Sequence, residues 1–219
     1  MNATAPLPAP ELRALLLPAY APCRNFGRCR EARWDPAGGH APRGFLGATG
    51  GLDAVEAILV FAEPGNPHPG AGHGDGRHPQ DTFQSCLDAA YRAFSGGTDR
   101  FHRNTRAFLD LVWPGLGFDA QLARVWLTEG RLCSFADELG GRRDATCARD
   151  YLRAQLDLLP RAVVVGFGAK AQAYLRALGA AHVGAYALAP PGCDRRAARA
   201  GWEAAAAAIR TRRGNPPPA

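Results

Sequence analysis

The chain has 219 residues, a formal charge of +6 and 47% hydrophobic residues, enough for one sizeable core and too little for several large domains. No stretch reaches the ~20 uninterrupted apolar residues of a membrane helix, and the opening MNATAPLPAPELRALLLPAYAP has no basic leader region, so the expectation is a cytoplasmic protein with no membrane partner. Among 26 basic residues only Lys170 is lysine; an arginine excess suits phosphates and base edges, although G- and C-rich coding biases composition the same way.

In chain order, residues 9–17 have the spacing of a short amphipathic helix. Residues 21–53, with Cys23, Cys29 and many Gly and Pro, are too polar and broken for regular structure unless something staples them. Ile58, Leu59, Val60 and Phe61 form a continuous apolar run, which predicts a strand over 56–62 buried on both faces. A Gly/Pro/His loop follows, then a helix over 80–95 with Phe83, Leu87, Ala90, Tyr91 and Phe94 at helical spacing. A second helix over 100–112 carries Arg100, Arg103 and Arg106 on its outer side. ARVWLTEG (123–130) reads as the second strand, 143–159 as a helix ended by Pro160, and RAVVVGFG (161–168) as a central third strand feeding a helix over 169–178. Residues 185–192 are expected to hold a fourth strand and a turn, and 195–210 an Ala-rich helix with Trp202. This alternation predicts one three-layer α/β/α domain over residues 1–211 around a mostly four-stranded parallel sheet, with a disordered tail at 212–219.

Open α/β sheets place their chemistry at the carboxyl ends of strands, and the first strand runs directly into AEPGNPH (62–68). Glu63 and His68 are the candidate catalytic residues there, read equally well as solvated loop residues. Phe83 is either a core aromatic or a stacking surface. Six cysteines in a reducing compartment favour thiols or metal ligands over disulfides; Cys86 reads as a buried helix residue and Cys193 as a loop bystander.

Several blocks between Cys23 and Trp202 together resemble the uracil-DNA glycosylase superfamily, particularly its iron-sulfur branch. An N-terminal cysteine pair precedes a strand ending in Ala62-Glu63-Pro64-Gly65, similar to that branch's G-E-x-P-G motif. Phe83 with Leu87 and Asp88 looks like the segment whose ring stacks on an extruded base. VWLTEGRLC keeps Thr128 and Cys133 but has Glu129 in place of the family's asparagine, and Cys147 heads a helix as the family's last cysteine does. The final His-Pro-Ser motif is replaced by Ala189-Pro190-Pro191.

The resemblance implies a monomeric DNA glycosylase that binds DNA, single-stranded or damaged DNA included, and excises a base by hydrolysing its N-glycosidic bond. Glu63 would orient water or stabilise the sugar cation, with His68 in place of the missing histidine; Ala62, Phe83 and Glu129 would bind the base. An ionised glutamate only accepts hydrogen bonds, which points away from uracil, toward a base with an exocyclic amine or a deaminated or damaged purine. Pro190, Pro191, Arg195 and Arg196 occupy the position of the family's DNA-contacting wedge. Cys23, Cys29, Cys133 and Cys147 match the ligands of a 4Fe-4S cluster by order and context, with zinc as the other four-thiolate occupant; five residues separate Cys23 from Cys29, where the family has two. Two competing expectations are a catalytically silent nucleic-acid-binding protein of the same fold and a covalent DNA-linking member with His68 as nucleophile.

Overall fold

The computed structural model describes residues 4–29, 32–68, 70–134 and 145–214. Five strands form one sheet in the order β1-β3-β2-β4-β5: β1 Leu46–Gly47, β2 Ala57–Phe61, β3 Val125–Glu129, β4 Val163–Phe167 and β5 Val183–Ala185. Strands β3, β2, β4 and β5 run parallel, and β1 pairs antiparallel with β3. The apolar run predicted over 56–62 is buried along the whole of β2, as expected for a central strand flanked on both sides.

Among the described residues seven α-helices cover the sheet: α1 Pro10–Leu16, α2 Pro79–Gly96, α3 Arg100–Val112, α4 Phe118–Leu122, α5 Arg153–Leu158, α6 Gly168–Ala177 and α7 Ala198–Gly214. Paired residues of parallel strands share a face, so Phe61, Glu129 and Phe167 point the same way. Phe101 and Phe108 of α3 pack edge-on against Phe61 and Phe167 there, with ring centroids 4.9 Å apart in both pairs. On the opposite face, Gln155 of α5 accepts hydrogen bonds from Trp126 and Thr128, and Leu175 of α6 lies over Gly166. The result is helix layers on both faces of a mostly parallel sheet.

Three expectations change. The segment 21–53 does contain a strand, β1, which exists through its pairing with β3. The last parallel strand is Val183–Ala185, short of the expected 185–192; Pro190 and Pro191 lack the N–H that a ladder needs, and residues 186–197 form a loop with one 3-10 turn, Gly192–Asp194. The terminal helix starts at Ala198 and continues to Gly214, through part of the expected tail; residues 215–219 lie outside the described residues, as do 143 and 144 at the start of the expected 143–159 helix. The described part of that helix opens with a π-helical turn, Ala148–Leu152, directly after Cys147. No described helix is long and apolar enough to cross a membrane.

Candidate active site and cysteine cavity

β2 and β3 end side by side, with Phe61 opposite Glu129, and their pairing continues one step further. Gly130 donates to the Phe61 carbonyl (2.8 Å) and Arg131 to the Ala62 carbonyl (3.1 Å). This holds Glu63, the next residue, against the end of β3. Its carboxylate is mostly buried and pairs with Lys170 in the first turn of α6, Nζ to Oε1 3.2 Å. Sequence reasoning missed Lys170. Its signal was that the chain's one lysine stands three residues beyond the end of β4, on the strand edge where chemistry gathers.

Glu129 is 4% exposed, and its Oε2 has no hydrogen-bond partner among the described residues. Burial pushes its carboxyl well above the ordinary glutamate range; the nearby Glu63 charge pushes the same way and Arg43 opposes both. Burial thus favours its neutral form. In that form the carboxyl donates as well as accepts, whereas the ionised glutamate expected from the sequence only accepts.

Arg43, on the loop before β1, completes the cluster. It donates from Nη1 to the Gly39 carbonyl (2.8 Å) and to Ser134 Oγ (3.3 Å), and from Nη2 to the Gly65 carbonyl. His40 is buried and shares the Ser134 hydroxyl, Nδ1 to Oγ 2.8 Å; burial, then Arg33 and Arg43, lower its pKa. Gly44 follows at φ +94°, and a Cβ there would sit 2.7 Å from Glu129 Oε1, so the chain passes the carboxyl only as glycine.

Tyr20, Arg43, Gly44, Phe45, Phe83 and Leu87 line a cleft beside this cluster, closed tightly enough that no water-sized space is left. Phe83 is both core and wall: it is 3% exposed and meets the Tyr20 ring edge-on at 5.2 Å. Ala62 contributes through its main chain, with the carbonyl taken by Arg131.

His68 is exposed, and its ion-pair contact is to Asp99 at the start of α3, Nε2 to Oδ2 3.7 Å. Asp99 also caps α3 by accepting from the His102 amide (3.0 Å). Pro190, Pro191, Arg195 and Arg196 are all exposed on the loop between β5 and α7. That loop is tied to α3 by Arg100 bonded to Asp194 and by Asn104 donating to the Leu188 carbonyl (2.7 Å). Asp194 therefore fastens the loop to α3.

The four cysteines Cys23, Cys29, Cys133 and Cys147 line one cavity of about 120 Å³, with Asn25, Phe26, Arg131 and Tyr151. The four sulfurs come from three local structures: the turns around 23–29, the chain just past β3, and the start of the π-helical turn. Arg131 Nη2 donates to Cys29 Sγ (3.2 Å) and the Leu132 amide to Cys147 Sγ (3.4 Å). Burial pushes the Cys147 thiol up to about 12, against the Leu132 amide and together with Cys29 and Cys23; burial, then Cys147, Cys23 and Cys29, raise Cys133. All four are free thiols. Among the described residues no three His, Cys, Asp or Glu side chains converge as a single ion requires; the sulfurs line the cavity wall. The chain matches no family model and no curated protein.

Proposed function

We propose that the protein is a DNA glycosylase of the uracil-DNA glycosylase type, which extrudes a base from DNA and hydrolyses its N-glycosidic bond. The observation that carries this reading is the meeting of two carboxyl groups of opposite character at adjacent strand tips, beside an aromatic cleft. Glu63 stands next to the Lys170 cation, while burial favours the neutral form of Glu129. Carboxyls in unlike surroundings let one site divide charge stabilisation from hydrogen bonding. Glu63 supplies negative charge to the sugar cation or orients the attacking water. Phe83 offers a ring for the flipped base, which has to open the cleft to reach it. The exposed Arg195 and Arg196 beside Pro190 and Pro191 bind the phosphate backbone, and the protein acts as a monomer.

Cys23, Cys29, Cys133 and Cys147 would hold a 4Fe-4S cluster. The donor set fits: four thiols face one space, two of them already receive N–H donors, and their spread around a wall suits a multi-iron group better than a tetrahedral zinc with ~2.3 Å bonds. When bound, the cluster supplies a rigid anchor joining residues 21–29 to the end of β3.

The test is incubation with oligonucleotides carrying single damaged bases, scored for abasic sites, with Glu63→Gln as control. Base release by the wild type, lost in Glu63→Gln, is expected. The tight cleft favours a second reading, a silent DNA-binding protein of this fold. That reading wins if DNA binds and no substrate in the panel yields an abasic site.

A further inference from the structure

Arg43 has no role in the reading above beyond lining the cleft, yet this half-buried guanidinium has neutral hydrogen-bond partners, a costly arrangement for a charge. A guanidinium has five N–H donors. Two on Nη1 and one on Nη2 are engaged by Gly39, Ser134 and Gly65. Among the described residues, Nε–H and a second Nη2–H remain without an acceptor. Beside it, across Gly44, stands the Glu129 carboxyl with a buried Oε2 that has no partner among the described residues.

Accepting the glycosylase reading on which this rests, we infer that Arg43 and Glu129 together read the extruded base, and that the base is a 6-oxopurine of the hypoxanthine type. Two free guanidinium donors match the paired acceptors O6 and N7, the commonest specific arginine contact to a base. A pyrimidine has no such pair. The adjoining edge of a 6-oxopurine carries N1–H beside the same carbonyl, a donor and an acceptor in sequence. A neutral carboxyl meets both, its carbonyl accepting from N1–H and its hydroxyl donating to O6. Adenine fails at the arginine contact, where its 6-amino group turns a donor toward the guanidinium. Guanine presents the same two edges but is held in DNA by a full Watson–Crick pair, whereas a mispaired deaminated purine is extruded at lower cost.

The experiment compares binding and base release on duplexes that differ at one position: hypoxanthine, uracil, 1,N6-ethenoadenine, 7-deazahypoxanthine or an ordinary base. Hypoxanthine is expected to be preferred over uracil and ethenoadenine. Replacing N7 by carbon should weaken binding by roughly five- to 150-fold, the range of one bidentate arginine contact. This substrate-side test leaves the fold untouched, so it holds even if Arg43→Lys, which should lose the same factor, proves unstable. Glu129→Leu, which removes both the donor and the acceptor, should lose the preference. Equal or better handling of uracil or ethenoadenine, or no penalty for 7-deazahypoxanthine, overturns the inference while any base release keeps the glycosylase reading. If no base is released but hypoxanthine binding is preferred and depends on N7, the inference stands and the enzymatic reading falls.

Discussion

The two ends of the sheet each hold a glutamate, and they treat it in opposite ways. Glu56, just before β2 at the amino-terminal edge, is fully engaged: Oε2 accepts from Trp113 Nε1 (2.8 Å), Oε1 pairs with Arg124, and its main chain bonds to Arg124 and Val163. Glu129, at the carboxyl-terminal edge, has an oxygen with no partner among the described residues, and burial favours its neutral form despite Arg43. A closed polar network contributes to stability, while a buried polar group left without a partner costs roughly 1–3 kcal/mol. The contrast separates an edge built to hold the sheet together from one built to meet something from outside.

The largest effect should come from the cysteine cavity that braces the open edge. Cys133→Ser is expected to abolish iron content and broad visible absorption in purified protein, and to cost on the order of 4 kcal/mol or more in denaturant unfolding, as loss of a structural metal group does. Unchanged colour and stability would remove the anchor from this edge.

Next, Glu56→Ala should cost about 1–3 kcal/mol, because it strands the buried Trp113 Nε1. Glu129→Gln should do the reverse. The native carboxyl keeps its proton above the ordinary value of 4.5, where the unfolded chain has already lost it. The native state therefore binds more protons in that window, and wild-type stability falls as pH rises through it, by up to about 1.4 kcal/mol per pH unit. The glutamine variant has no such loss, so its advantage should open above pH 4.5 and widen toward the raised native pKa, with Glu63 and Arg43 the facing charges. Parallel stability curves for the two proteins between pH 4 and 8 would show that Glu129 is ionised after all. The smallest effect is Lys170→Met, at most about 1 kcal/mol, since the lysine end of its pair with Glu63 is 37% exposed; its consequence should be read in base release, not in melting.

Much of the open edge was legible in the residues themselves. Glu63 was marked by the apolar run that ends just before it, and the four cysteines by their order, which the cavity brings together. Three features were not. Arg43 sits in a Gly/Pro-rich loop with no periodicity to place it, and meets Gly65 and Ser134 only through the fold. Lys170 meets Glu63 across a helix-to-strand contact spanning 107 positions. His68 looked like a neighbour of Glu63 by sequence proximity, yet it turns to Asp99 at the start of α3.

Local pattern was enough to determine the strands β2, β3 and β4, most helix positions and the α/β class, because apolar period and turn chemistry act over a few residues. Whether β1 forms, where β5 lies and how Glu129 is charged depended on tertiary structure. Each is set by partners distant in the chain, a pairing strand in the first two cases and a dry surrounding in the last. A side chain's proton affinity follows from the water and charge around it, and those exist only once the chain has closed upon itself.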